Sequence, residues 1–362
     1  MRKIKHLVIA IVTAYCSCLL PLLVKAQDIH FSQYNFTLIN PAMTAAYKDL
    51  QATLQHKEQW RMVDAYRTSS ATFEMKLSQL NWQKVTTNKV TGVFKQKLQK
   101  GLAFGINVFN DKAGDGNMKN FQASLSLAYH ALINEKNTLS AGLKGGYVQK
   151  SISPDGLRWE NQYAGGAYDP TLSTGENFTD QSFGYADFGA GLLWSYGDGS
   201  KYLTANDQKH IHAGISIDHL NNPKQSFLAI TSDQLHWKIT GHAGSLLGIK
   251  NTNYSIGTSL LYLSQGKLTE ITPGALIKYK FKENSVYTGF IKSSALTLGC
   301  YYRNKDAVIP YIMYEMDKYS IGISYDTNIS GLTAVTTGRG GIEISLRFNA
   351  PSPFLYQTKS RI

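Results

Sequence analysis

The chain has 362 residues, 43% hydrophobic, 17% charged and 12% aromatic, with 31 glycines. Low charge with abundant Gly and Tyr excludes a disordered chain or a helical bundle, and a mean hydropathy of −0.23 excludes a polytopic helical membrane protein. A transmembrane β-barrel passes both tests, because only alternate strand residues face lipid.

In chain order, residues 1–26 read as a secretory signal peptide. Arg2, Lys3 and Lys5 precede an apolar run from Leu7 to Val24, and Val24-Lys25-Ala26 presents small residues three places and one place before the expected cleavage site. Without this segment the chain carries 33 Lys and Arg against 25 Asp and Glu. That modest positive balance contains no basic block, so it predicts no nucleic-acid partner. One cysteine remains, Cys300, which excludes an intramolecular disulfide framework. It lies in the run Leu298-Gly299-Cys300-Tyr301, as a buried or lipid-facing thiol. Residues 27–49 carry Phe31, Tyr34, Phe36, Leu38 and Ile39, too apolar for a free tail and too few for a core. This segment is expected to dock at the periplasmic end or in the lumen of the barrel, or to bind a periplasmic partner.

From residue 50 onward the sequence alternates with period two. Leu102, Phe104, Ile106 and Val108 alternate with Ala103, Gly105 and Asn107; Ile342, Ile344, Leu346 and Phe348 alternate with Glu343, Ser345 and Arg347. Fourteen such runs are predicted, at 50–60, 68–77, 100–110, 120–131, 138–150, 182–197, 208–220, 235–247, 252–264, 268–281, 285–303, 307–316, 318–328 and 340–348. The first two are interrupted by Lys57, Glu58, Glu74 and Lys76. The second face is Gly, Ser and Asn, which suits a hydrated lumen better than a sandwich exterior. Turn residues separate the runs, and Tyr147, Trp194, Tyr196, Tyr262, Tyr279, Tyr301 and Tyr302 gather at strand ends, as interfacial girdles require. The predicted fold is therefore all-β: a transmembrane antiparallel up-and-down barrel of about fourteen strands over 50–348, with a C-terminal tail at 349–362. Three long connections, 78–99, 151–181 and 329–339, are expected on the extracellular side.

Little catalytic chemistry is legible, and no catalytic, cofactor-binding or metal-binding residue is assigned. Asp187-Phe188-Gly189 matches a kinase tripeptide but sits in a strand without the accompanying motifs. His210 and His212 share a strand face without a third ligand. Asp111, Asp115 and Asn117 lack the closing Glu of a calcium loop. No spaced nucleophile motif such as GxSxG is present, so no enzyme activity is expected. Trp159, Tyr163, Tyr168 and Phe178 in loop 151–181 are the candidate partner-binding residues, since large aromatics in Gly-rich loops give contact area at low entropy cost.

The segment Gln27–Ala42, with Phe31-Ser32-Gln33 and Asn40-Pro41-Ala42, resembles the opening of the PorP/SprF family of type IX secretion system membrane proteins. Glu58-Gln59-Trp60, the Asn110-Asp111-Lys112 turn, the strand Leu139–Tyr147 and Ile321–Asp326 follow in the family's order. The resemblance implies an integral outer-membrane component of a secretion and gliding apparatus. It implies a role in exporting or anchoring a cognate adhesin through that protein's C-terminal domain, and partners among the periplasmic and outer-membrane components of the system. Outer-membrane lipid is the other expected contact. The alternative left open is an outer-membrane porin or solute channel with no protein cargo.

Overall fold

The computed structural model describes residues 36–350 except 61–65, 79–100, 115, 154–156, 165, 176–180, 199–205, 226, 228–233, 283–292, 332 and 334–337. Fourteen antiparallel strands close into one barrel. In chain order they are β1 (Leu50–Gln59), β2 (Tyr66–Ser78), β3 (Gly101–Ala113), β4 (Met118–Leu132), β5 (Asn137–Ser151), β8 (Ser182–Asp198), β9 (Lys209–Asp218), β10 (Lys238–Gly248), β11 (Tyr254–Gln265), β12 (Leu268–Lys282), β13 (Ser294–Arg303), β14 (Ala307–Met316), β15 (Tyr319–Asn328) and β16 (Arg339–Ala350). The short β6 (Tyr163–Ala164) and β7 (Ala167–Tyr168) form a separate two-stranded ribbon inside the β5–β8 connection. Every barrel strand pairs with its neighbour in sequence, and β1 closes on β16 from Leu50↔Ala350 to Gln59↔Gly341. The predicted barrel is thus the observed fold, with most strand ends shifted by a few residues; β13, predicted from 285, begins at Ser294, and 285–292 lie outside the described residues.

Alternation sets the two faces. Leu125, Leu143, Leu192, Ile277 and Leu298 stand exposed on the outer wall, while Thr53, Asn107, Ser126 and Thr240 are buried in the lumen. An apolar exterior around a polar interior is the inverse of a soluble protein and suits a lipid bilayer. Among the described residues no helix is long and apolar enough to cross a membrane; the apolar outer wall belongs to the strands. Lys57, Glu74 and Lys76, which interrupt the first two runs in the sequence, all point inward and are buried. They keep the alternation intact.

Aromatic rings collect on the outer wall near one end of the barrel: Tyr254 against Tyr279 (4.8 Å between centroids), Tyr279 against Phe281, and Tyr319 against Phe348 (5.2 Å). Trp194 Nε1 there donates to Asn137 Oδ1 at 3.2 Å. Tyr301 departs from the predicted girdle. It faces the lumen at 1% exposure, in a cluster with Ala307, Ile309, Tyr311 and Met313. Adjacent Tyr301 and Tyr302 cannot both face lipid, and the inward ring occupies the place of a side chain at Gly274, where a Cβ would lie 1.9 Å from Tyr301 Cδ1.

The meander also corrects the placement of the long connections. β1 begins and β16 ends at one end of the barrel, termed proximal here. Because turns alternate between ends, β2 ends and β3 begins at the proximal end, and residues 79–100 between them lie outside the described residues. The connections after β5 (152–181), β9 (219–237) and β15 (329–338) are distal. The three long segments therefore do not share one face.

Candidate functional site

The described part of the segment before β1, from residue 36 on, lies inside the barrel. A single turn of helix, α1 (Phe36–Ile39), leads through Asn40 into a 3-10 turn at Pro41–Met43. Local chemistry accounts for this shape. Asn40 is extended (φ −153°, ψ 118°), its Oδ1 accepts from the Ala42 N–H at 2.9 Å, and Pro41 takes the first helical position, where no N–H is required.

Asn40 also fastens the turn to the wall. Its Nδ2 donates to Leu192 O at 3.0 Å and to Ile215 O at 3.3 Å, and lies 2.9 Å from His242 Nε2. One fully buried amide thus ties the segment to β8, β9 and β10. Across the lumen, Glu74 of β2 clasps both ends of the loop: Oε1 accepts from the Thr37 hydroxyl at 2.5 Å and Oε2 from the Ala45 N–H at 2.7 Å. Ser216 Oγ donates to Ile39 O at 2.6 Å, and Thr44 Oγ1 lies 2.9 Å from Ser126 Oγ. His130 Nε2 lies 2.9 Å from Thr44 O. A carbonyl only accepts, so Nε2 carries the proton, and Nδ1 accepts from Ser140 Oγ at 2.7 Å in the neutral ring.

Glycines on the wall make room for this plug. A Cβ at Gly142 would lie 2.3 Å from Ala42 N and 2.4 Å from Pro41 C, and one at Gly191 would lie 2.0 Å from Asn40 Oδ1. Backbone and a buried amide occupy the volume that side chains would need. The apolar contacts are small: Ala42 and Met43 pack on Leu193, and Ala45 on Ala103 and Ala128.

Around the plug the lumen is braced by ion pairs. Asp326 takes Lys57 Nζ and Arg303 Nη2, each at 2.9 Å, and Lys144 Nζ meets Asp218 Oδ1 at 2.6 Å. Asp187, the acid of the kinase-like tripeptide, is fully buried and pairs with His219 Nδ1 at 2.7 Å, so its place is structural. His210 and His212 face inward. The His212 ring lies 5.8 Å from His242, and among the described residues no group of three metal-ligating side chains converges. Above the plug, toward the distal end, a cavity of about 570 Å³ is floored by Leu38 and Ile39 and walled by Phe109, Lys144, Asp218 and His236.

The residues that carry the family resemblance do not form one cluster. Asn40, Pro41 and Ala42 are in the lumen, whereas Phe31, Ser32 and Gln33 lie outside the described residues, as does the predicted signal peptide. Trp60 follows β1 at the distal rim with φ +48°, its N–H donating to Gly340 O at 3.2 Å and its ring edge-on to Tyr66. Asp111 faces the lumen and accepts from Thr68 Oγ1 at 2.6 Å. By alternation, Asn110 and Lys112 face outward. In the distal loop the Tyr163 and Tyr168 rings meet at 5.6 Å, and the Arg158 guanidinium lies 4.9 Å over Tyr168. Trp159 N–H donates to Gln162 Oε1 at 3.3 Å, and Phe178 lies outside the described residues. Asp169 in this loop accepts from the Thr171 hydroxyl and N–H, which hold its carboxyl below the usual carboxylate range. Sequence reading missed Glu74, Gly142 and Gly191 as partners of the plug. The one available signal was Glu74 itself, a carboxylate in an otherwise lumen-type strand.

Solved structures similar to the chain include the KdgM porin, at 8% identity, TM-score 0.33, covering 83% of this chain and 99% of that one. Others are BamA from Haemophilus ducreyi lacking POTRA domains 1-3, at 8%, 0.38, 83% and 70%, and the translocator domain of autotransporter NalP from Neisseria meningitidis, at 9%, 0.30, 84% and 89%. Among curated proteins none matches. The model of the type IX secretion system membrane protein PorP/SprF matches residues 23–348, and this outer-membrane barrel with its plugged lumen belongs to that family.

Proposed function

We propose that the protein supports export or surface anchoring of a cognate secreted protein in a type IX secretion and gliding apparatus, engaging that protein's C-terminal domain. Family membership supports the secretion role. The observation that favours a protein partner over a solute channel is the filled lumen. Asn40, Thr44 and Ala45 are held to β2, β4, β8 and β9 across the barrel interior, where a porin keeps water. In this reading the distal loops, with Trp159, Tyr163 and Tyr168, meet the cargo. The proximal end, where β1 begins and β16 ends, faces periplasmic components, after cleavage of residues 1–26. The protein itself carries out no catalytic step.

Deleting residues 157–175, with the barrel still assembled in the outer membrane, is expected to release a cognate surface protein into the medium. Deleting the whole chain is expected to abolish its surface display. If every surface protein stays in place after the whole-chain deletion while solute uptake falls, the porin reading replaces this one.

A further inference from the structure

The outer wall carries one feature that neither the plug nor the loops use. Near the distal end Arg67 of β2 stands directly opposite Lys112 of β3, and Lys112 directly opposite Lys119 of β4. All three face outward. On the same strands Phe73, Val108 and Leu125 are exposed on the outer wall, the intervening Thr68 and Asn107 are buried, and Asp111 and Asn120 line the lumenal cavity. Like charges in direct cross-strand register destabilise an antiparallel pair unless an anion lies between them. Among the described residues a counter-charge stands at one end of this row, Glu58 Oε1, 3.7 Å from Arg67 Nε. Neither Lys112 nor Lys119 is in an ion pair among the described residues. At the proximal end, by contrast, Asp198 stands opposite Lys209 and is bonded to Lys136 at 2.9 Å.

The height of the row identifies what it meets. Val108 is the last apolar outward residue of β3, and Lys112 lies four residues beyond it. At about 3.3 Å per residue and a strand tilt of about 40°, that is roughly 10 Å above Val108, but Phe121 of β4 stands opposite Asn110 and carries the apolar band to within two residues of Lys112. Lys119 lies two residues beyond Phe121, roughly 5 Å above it on the same reckoning. The headgroup layer extends roughly 5–8 Å beyond the hydrocarbon, and long cationic side chains bend along the wall to reach its anions. Adjacent strands are about 4.8 Å apart, so the three cations span about 10 Å, the scale of a headgroup with more than one phosphate.

We propose that Arg67, Lys112 and Lys119 bind the phosphates of a phosphorylated glycolipid of the lipid A type in the leaflet around the distal end. The contacts are charge-assisted hydrogen bonds from guanidinium and ammonium groups to phosphate oxygens. The site also orients the barrel, with its distal end in the glycolipid leaflet.

The test uses the full chain purified into phosphatidylcholine nanodiscs doped with lipid A or, at equal mole fraction, phosphatidylglycerol, with retained lipid counted by native mass spectrometry. The wild type is expected to retain lipid A at least tenfold over phosphatidylglycerol. Retention should fall at least tenfold in R67Q/K112Q/K119Q and rise in E58Q, which removes the competing carboxylate. A proximal K136Q/K209Q variant should retain lipid A like the wild type. The single K112Q variant, expected to lose about threefold, keeps the test open should the triple variant assemble poorly. Equal retention of lipid A by K112Q and wild type, equal retention of the two lipids, or displacement of lipid A by millimolar inorganic phosphate would each overturn the proposal.

Discussion

Glu74→Ala is the sharpest perturbation of the lumenal plug, because one carboxylate holds both ends of the loop. Its oxygens accept from the Thr37 hydroxyl at 2.5 Å and the Ala45 N–H at 2.7 Å, and Thr37 and Glu74 are both nearly inaccessible to solvent. Removing the acceptor strands two buried donors, each at a cost of about 1–3 kcal/mol. Water entering the space left by the side chain offsets part of this, so the docked plug should lose about 2–4 kcal/mol. At 1.4 kcal/mol per tenfold, the undocked fraction rises about 30- to 700-fold. Hydrogen exchange reads that equilibrium directly. The N–H groups of Met43, Thr44 and Ala46 are bonded within the turn, so their exchange through undocking should accelerate by the same factor while the barrel strands stay protected. Glu74→Gln, whose amide can accept from Ala45 and donate to the Thr37 hydroxyl, should recover more than half of the lost protection. Exchange at residues 43–46 that changes less than threefold in the alanine variant would refute the account of the plug given above.

The other predictions use the same geometry. Gly142→Leu places side-chain atoms on the backbone of Pro41 and Ala42, so the barrel should assemble with the plug displaced, and planar bilayers should record higher conductance than for the wild type. Asn40→Asp should release the plug as much as Asn40→Ala, by about 2–3 kcal/mol in exchange protection, because a carboxylate keeps the cap but cannot donate to Leu192 O and Ile215 O. Ile344→Arg, on the lipid face, should destabilise the barrel by about 2–4 kcal/mol in lipid-bilayer denaturant titrations. Gln122→Arg, on the cavity wall, should cost less than about 1 kcal/mol.

The barrel was legible because a closed sheet in lipid writes its two environments into alternate residues. Ile342, Ile344 and Leu346 are outward and Glu343 and Ser345 buried in the lumen, and most strand ends, the start of β13 excepted, follow the turn residues to within a few positions. The same signal misleads where a lumen is filled. Tyr301 carries the amphipathic chemistry of a girdle residue, yet its position on β13 turns it inward onto Gly274. Likewise the small second face of Gly, Ser and Asn reads as a hydrated channel, while much of that space is taken by Asn40, Pro41, Ala42 and Thr44. Small wall residues report available volume. They do not report whether water or protein occupies it.

The candidate site stayed hidden for a related reason. Asn40-Pro41-Ala42 is visible as a motif, and its capping geometry follows from residue type alone. Its partners Glu74, His130, Gly142, Gly191 and Ser216 are spread over five strands, and none stands at a spacing that links it to the motif. A glycine that admits a neighbouring backbone is identical in sequence to one that lightens a turn. A carboxylate that clasps a loop looks like a flaw in a strand until closure of the barrel turns it inward. What separates these cases is the balance of donors and acceptors in a lumen: Glu74 can be buried there because Thr37 and Ala45 supply its hydrogen bonds. The strand that carries Glu74 and the segment that satisfies it therefore form one energetic unit, and changing either should loosen the other.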